Sequence, residues 1–277
     1  MPLELNAALG PILESAHEIA REAGAILRRG WRTGAEVSHK GEIDLVTEFD
    51  LASEKHIRAR MSAAFPDHGV VCEEGGGDPD HELVWYCDPL DGTTNFAHGH
   101  FFFSVSLGLA RAGVPIGGVV HAPALDTSWL GGEGVGAWRE HSGVRTSARV
   151  STKATTLSSA LIGTGFPYDR RTSPENNVRE FSRIVLGVQG IRRCGSAAMD
   201  LCLVADGTYD AYWEQKLAPW DMCAGVAIAR AAGARVTDYL GAEPSLKRGR
   251  VVATNGALHE VLLAEIAAAR LLPLDGA

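Results

Sequence analysis

One run of nine residues constrains this chain more than any other: Asp88-Pro89-Leu90-Asp91-Gly92-Thr93-Thr94-Asn95-Phe96, entered from Leu83-Val84-Trp85-Tyr86-Cys87. The entering segment is apolar, aromatic and β-branched, so it reads as a buried strand. Two aspartates three apart follow, with Pro89 forcing an extended turn between them. Gly92 permits close backbone approach, and Thr93-Thr94-Asn95 cap or open a helix. A strand that ends in paired carboxylates beside a helix N-terminus can hold hard cations and bind an anion on free N–H groups. Metal plus phosphate is the economical reading; the competing one is two acidic residues in a surface turn.

The 277 residues suit one large domain or two of moderate size, with ample core. A hydrophobic fraction of 45% beside 22% charged residues is that of an ordinary globular chain. Net charge is −8 and no run of Lys and Arg occurs, which argues against a general nucleic-acid binder. No stretch approaches a transmembrane span, and acidic residues stand where a signal peptide would be apolar. The five cysteines (Cys72, Cys87, Cys194, Cys202, Cys223) lack CxxC spacing, so we expect reduced thiols in a cytoplasmic protein rather than a zinc site or a disulfide framework.

In chain order, residues 11–30 carry an apolar stripe at helical spacing (Ile12, Ala16, Ile19, Ala20, Ala23, Ile26, Leu27), and Gly30 helps to end that helix. Residues 31–40 read as a connection. Asp44-Leu45-Val46-Thr47-Glu48-Phe49-Asp50 opens a second helix with Thr47 and Asp50 in capping-box register, and Ile57, Met61 and Phe65 continue its buried stripe. Gly69-Val70-Val71-Cys72 is a short strand running into Glu73-Glu74-Gly75-Gly76-Gly77, where a carboxylate is well placed for the edge of a site. After the central run, residues 103–109 alternate like a half-buried strand. Residues 114–122, 127–130 and 135–138 then suggest an antiparallel meander. The polar stretch 139–157 is the best boundary, dividing an α+β half (1–150) from an α/β half (151–277). Beyond it we expect strands at 160–163, 208–213, 234–236 and 251–253, alternating with helices at 175–186, 195–203, 219–232 and 257–271.

Three acidic stations stand out: Glu73, the pair Asp88 and Asp91, and Asp221 at a helix start. Gathering four ionised carboxylates is prohibitive alone, because like charges and desolvation raise each other's pKa. Divalent cations remove the objection, and all-oxygen ligands favour magnesium, manganese or calcium over zinc or copper. Two ions about 3.5–4 Å apart would activate a water and neutralise a leaving oxygen. Asp-Gly-Thr also occurs where an aspartate two residues upstream forms an aspartyl-phosphate, but that position here is Pro89. Neither a P-loop nor a Rossmann glycine fingerprint is present.

These residues make the chain resemble the inositol monophosphatase family. Asp88-Pro89-Leu90-Asp91-Gly92-Thr93-Thr94-Asn95 looks like its first signature and Trp220-Asp221-Met222-Cys223-Ala224-Gly225 like its second. Glu73-Glu74, and Asp44-Leu45-Val46-Thr47 with Asp50, fall in the expected order. The resemblance spans nearly the whole chain. It implies an α/β (α+β) layered α/β/α/β/α sandwich of the inositol monophosphatase and fructose-1,6-bisphosphatase type. It further implies a phosphomonoesterase using two Mg²⁺, replaceable by Mn²⁺ and inhibited by Li⁺, in a cytoplasmic homodimer that acts on a small phosphate monoester.

By position, the resemblance implies that Glu73, Asp88 and the Leu90 carbonyl bind one metal, and that Asp88, Asp91 and Asp221 bind the second. Glu73 with waters would hold a weaker third. Glu73, Thr93 and Asp50 form the implied catalytic set, the last two orienting or deprotonating the attacking water. The N–H groups of Gly92 and Thr93 would hold phosphate, beside Asp91 and Asp221. Glu214, seven residues before Asp221, would bind the polyol, the Ala197 amide a sugar hydroxyl, and Lys40 would sit at the metal-water rim. Thr94-Asn95-Phe96 favours inositol monophosphates over histidinol phosphate or 3′-phosphoadenosine 5′-phosphate. Some relatives accept fructose 1,6-bisphosphate, and a regulatory binding protein that keeps the fold is a further alternative. His98, His100 and His121 invite a metal reading that a carboxylate site does not need. Tyr212 and Trp213, as strand neighbours, face opposite sides and form no stacking platform.

Overall fold

The computed structural model describes residues 2–34, 37–39 and 45–270. Lys40 and Asp44 lie outside the described residues. Helix α1 (Pro2–Gly30) begins nine residues before the expected start, because Leu9 and Leu13 extend its buried stripe on either side of Pro11. Strands β1 (Val37–His39) and β2 (Leu45–Thr47) pair antiparallel in the stretch expected to be connection and helix start. Helix α2 (Glu48–Ala64) then begins as its sequence dictates: Thr47 is the N-cap and Asp50 closes the capping box. Ile57 and Met61 are fully buried beneath it.

Strands β3 (Gly69–Cys72) and β4 (Leu83–Asp91) run parallel, and the five-residue helix α3 (Thr93–Ala97) follows. An antiparallel meander continues through β5 (Ser104–Arg111), β6 (Val114–Ala122), β7 (Thr127–Gly132), β8 (Gly136–His141) and β9 (Val144–Ser147). The expected strand at 135–138 is the start of β8, while the end of β8 and all of β9 fall in the stretch expected as a polar boundary; β9 is the exposed edge of the sheet, and sequence polarity reflects that exposure. After them come β10 (Leu161–Thr164), α4 (Val178–Ile184), β11 (Gly190–Arg192), α5 (Ala197–Ala205), β12 (Ala211–Glu214), α6 (Pro219–Ala231), β13 (Arg235–Thr237), β14 (Val251–Thr254) and α7 (His259–Arg270). Helix α4 is shorter than expected, and β11 has too little apolar character to be foreseen.

Five layers result. Helices α1 and α2 cover one face of the seven-stranded sheet β3–β9, while α5 and α6 fill the space between it and the five-stranded sheet ordered β11-β10-β12-β14-β13. Helices α4 and α7 pack together, with α7 against β14 on the outside. Three apolar clusters fill the spaces between layers: one under α1 and α2, one around α5 and α6 that reaches both sheets, and one between the smaller sheet and the α4 and α7 layer. The expectation that residues 103–109 are half-buried fails. Ser104 and Ser106 are fully buried, because α6 lies so close that a Cβ on Gly108 would stand 2.5 Å from the Ala224 nitrogen. Tyr212 and Trp213 do face opposite sides, and each enters a different apolar cluster. All five cysteines are free thiols.

Candidate active site

The site begins with an irregularity in β4. Asp88 pairs with Ser106 and Asp91 with Ser104, so three steps on one strand oppose two on the other. In a regular strand residues three apart face opposite sides; the extra residue of this bulge restores both aspartates to one side. What the sequence suggests as a turn around Pro89 is thus a continuous but bulged strand. Leu90 is buried, and its N–H donates to Asp88 Oδ1 at 2.9 Å. Gly92 then takes φ 95°, and a Cβ there would stand 3.0 Å from the Phe102 carbonyl oxygen. A side chain would disfavour both that backbone angle and that contact.

Other elements are tied to this strand end by specific bonds. The Ser53 hydroxyl of α2 donates to the Pro89 carbonyl at 2.9 Å. Glu54 of the same helix accepts from the Glu74 N–H at 2.8 Å and is itself held by Arg58, which fixes the turn carrying Glu73. Asn95 donates to the Phe102 and Cys194 carbonyls, joining α3 to the segment before α5. The N-cap of α5, Ser196, donates to Asp91 Oδ2 at 2.6 Å. Ser106 reaches the Trp220 carbonyl at 3.1 Å, which docks the start of α6. There Pro219 presets the first helical turn, and Asp221 accepts from the Ala218 N–H at 2.7 Å.

Glu73, Asp88, Leu90, Asp91, Gly92, Thr93, Ala197, Glu214 and Asp221 therefore line one cavity of about 260 Å³. Asp50 stands behind it, connected through Thr93: the Thr93 hydroxyl lies 3.2 Å from Asp50 Oδ1 and 3.0 Å from the Leu90 carbonyl oxygen. The second Asp50 oxygen accepts from both the N–H and the hydroxyl of Thr47. None of His98, His100 or His121 lines the cavity. His121 is buried on Ser128, and burial pushes its imidazole down to about 4.

Electrostatics expose the strain of the arrangement. Burial first, and then the charges of Glu73, Asp91 and Asp221, hold the Asp88 carboxyl well above its ordinary range. Asp221 is raised by burial and then by Asp91 and Glu73. Asp91 is pushed up to about 6 by burial, against the hydroxyl of Ser196 and the N–H groups of Ala198 and Ala197. Burial likewise lifts Asp50 to about 6 and Glu214 to about 7, the latter opposed by the Tyr212 hydroxyl and the charge of Arg193.

Among the described residues no three His, Cys, Asp or Glu side chains form a ready-made cluster around one point. Instead Asp88, Asp91 and Asp221 each spend one oxygen on a nearby donor. Each keeps a second oxygen for another partner. Acidic oxygens that share a cavity and raise one another's pKa suit a hard divalent cation, which would offset their repulsion. The residue set fits such ions.

Several residues of the cavity escape sequence reasoning. Ser196 lines it, and Ser104 stands 3.4 Å from Ser196 behind the wall, paired with Asp91; their sequence signals are a helix cap and a strand position. Arg193 and Asp200 also line the cavity, as does the 165–168 segment, part of the stretch 164–170 that the sequence sets beside Glu214 for choice of substrate. Only Gly165 carries a legible clue: a Cβ there would stand 2.1 Å from the Glu214 carboxylate, so the close approach needs glycine.

The sequence model of the Inositol monophosphatase family matches residues 8–271. An inositol-1-monophosphatase of Synechocystis is 41% identical over 259 residues, 92% of this chain and 88% of that protein. The Nus factor SuhB of Pseudomonas aeruginosa is 37% identical over 264 residues, covering 92% and 96% of the two chains. Among solved structures, inositol monophosphatase from Anabaena (Nostoc) superposes with a TM-score of 0.84 at 38% identity, over 96% of this chain and 98% of that one.

Proposed function

The chain belongs to the inositol monophosphatase family, and from that membership we propose that it is a Mg²⁺-dependent phosphomonoesterase hydrolysing myo-inositol monophosphate to inositol and phosphate. The observation that carries the reading is the shared cavity. Glu73, Asp88, Asp91 and Asp221 come from three separate parts of the chain and meet beside Thr93 and Glu214.

Glu73, Asp88 and the Leu90 carbonyl would hold one divalent cation, and Asp88, Asp91 and Asp221 a second, with Glu73 toward a third. When bound, such ions supply positive charge to the phosphoryl group and make water a stronger acid. The chain's own part starts at Thr93, whose hydroxyl bridges the cavity and Asp50 and so orients a water and relays its proton. Asp50, at about 6, is ionised and able to accept that proton at neutral pH. The Gly92 and Thr93 N–H groups at the start of α3 hold phosphate oxygens. Glu214 receives a hydroxyl of the polyol, and the Tyr212 hydroxyl fixes its carboxylate.

Phosphate release from a panel of inositol 1-phosphate, histidinol phosphate, 3′-phosphoadenosine 5′-phosphate and fructose 1,6-bisphosphate, with and without Mg²⁺, tests this. Inositol 1-phosphate should give the highest kcat/KM, only with the metal, and Li⁺ should inhibit. Metal-independent release, or a higher kcat/KM for another member of the panel, would overturn it. The five free thiols support a cytoplasmic protein, and no described helix is long and apolar enough to cross a membrane. We expect a homodimer, which light scattering checks.

The SuhB relative favours a second reading, a regulatory binding protein that keeps the fold. Rescue of a deletion strain by the Asp91→Asn protein would support it over the enzymatic one.

A further inference from the structure

Asp200 lies on α5, four positions after the Ser196 N-cap, and is only 1% exposed, yet it lines the cavity. Its Oδ1 has no hydrogen-bond partner among the described residues. A buried carboxyl oxygen without a donor costs free energy unless a partner arrives, and such groups in folded proteins call for an explanation. The roles assigned to Glu73, Asp88, Asp91 and Asp221 leave Asp200 unused. Burial first, and then the charge of Glu214, the expected polyol contact, push its carboxyl up; the Tyr209 hydroxyl opposes this, and the charge of Arg193 at the same cavity bears on both carboxyls.

We propose that Asp200 is a specificity-determining residue whose carboxyl, in the cavity wall, takes a second hydroxyl of the substrate alcohol besides the one held by Glu214, so that the cavity selects phosphate esters carrying several hydroxyls. The inference rests on the phosphatase reading and deepens it. Ala197 and Asp200 share one face of α5 three positions apart. That face therefore presents both the end near Asp91 and the end that meets the alcohol. Two carboxyl groups lining one cavity can each take a hydroxyl of the same ring, whereas an ester with one apolar group would leave the Asp200 oxygen buried and unmatched. Discrimination of this kind, by a polar group that goes unpaired with the wrong substrate, is stronger than an apolar pocket achieves.

The test compares inositol 1-phosphate with phenyl phosphate in wild type, Asp200→Asn and Asp200→Ala. The ratio of their kcat/KM values should fall about 10- to 100-fold in Asp200→Ala, through KM more than kcat, because a substrate hydroxyl loses its buried partner. Asp200→Asn keeps the shape and one acceptor, and should restore part of the ratio. A parallel fall on both esters, or no fall, would overturn the proposal, the first outcome marking Asp200 as structural. Calorimetric titration with inositol 1-phosphate and with inorganic phosphate is independent of turnover. If wild type hydrolyses neither ester, the phosphatase reading fails, while weaker calorimetric binding of inositol 1-phosphate, with that of inorganic phosphate kept, in Asp200→Ala would still support the recognition role. Unchanged binding there would overturn it.

Discussion

One part of the cavity is assembled from neighbours in the sheet. Glu73, Asp88, Asp91 and Thr93 arrive from the ends of β3 and β4 and the turn that follows, and their positions are fixed by backbone donors, a bulge and the two serines of β5 and α5. The other part is gathered from remote segments. Gly165 follows β10, Arg193 precedes α5, Asp200 lies on it, and Glu214 ends β12. There the contacts are side chain to side chain, with the Tyr212 hydroxyl on Glu214 and one Asp200 oxygen unmatched. Under the proposed function the difference would separate reaction from recognition: charge that must stand still would be held by the backbone, whereas the alcohol would be met by groups that change without disturbing a sheet.

The largest test of that division is Asp91→Asn. It should lower kcat by about a thousandfold or more on every ester, since it alters the charge of the reacting end. Circular dichroism and the melting temperature should stay close to wild type. A variant that lost activity on polyol esters alone would break the comparison.

Next in size is Thr93→Ala, which removes the link between cavity and Asp50 and should cost about 10²- to 10³-fold in kcat. Asp50 releases its proton near 6, so wild-type kcat/KM should rise with pH through an acid limb at or below about 6. In Thr93→Ala that limb should flatten. A limb unchanged in shape would remove Asp50 from the proton path.

Glu214→Gln belongs to the other part and should raise KM for inositol 1-phosphate about tenfold, more than for phenyl phosphate. It also carries a stability signature. The folded chain holds Glu214 at about 7 against an ordinary value of 4.5, so it keeps a proton that the unfolded chain releases. This contribution is full below about 4.5 and is lost as pH rises toward 7. Replacing the acid should therefore remove roughly 1–3 kcal/mol of that decline, read from urea unfolding at pH 5 and pH 8.

The smallest effect is expected of Gly165→Ala, whose Cβ would press on the Glu214 carboxylate. Displacing that group should raise KM for the polyol ester about threefold to tenfold, with a modest loss of stability. A fall in kcat equal on both esters would show that the two parts are mechanically coupled.

The first part is the more legible in sequence because its determinants are local. The capping box of Thr47 and Asp50, the strand before Asp88, the positive-φ glycine at 92 and the Pro-then-Asp start of α6 each follow from spacing within a few residues. The burial of Ser104 and Ser106 is not local: alternation suggests an exposed face, and only the docking of α6 covers it. The strand β9 was hidden for the opposite reason, since an exposed edge strand can be as polar as a loop.

By itself the sequence picked out carboxylates that line one cavity and where the helices beside them begin, because caps, glycines and periodicity act over a turn or two of chain. Only the tertiary structure decided that Asp88 and Asp91 share a side, that Ser196 grips Asp91 from 105 residues away, and that Asp200 and Arg193 complete the cavity. Those outcomes depend on how five layers stack, and the free energy of stacking is spread over residues that no short segment contains.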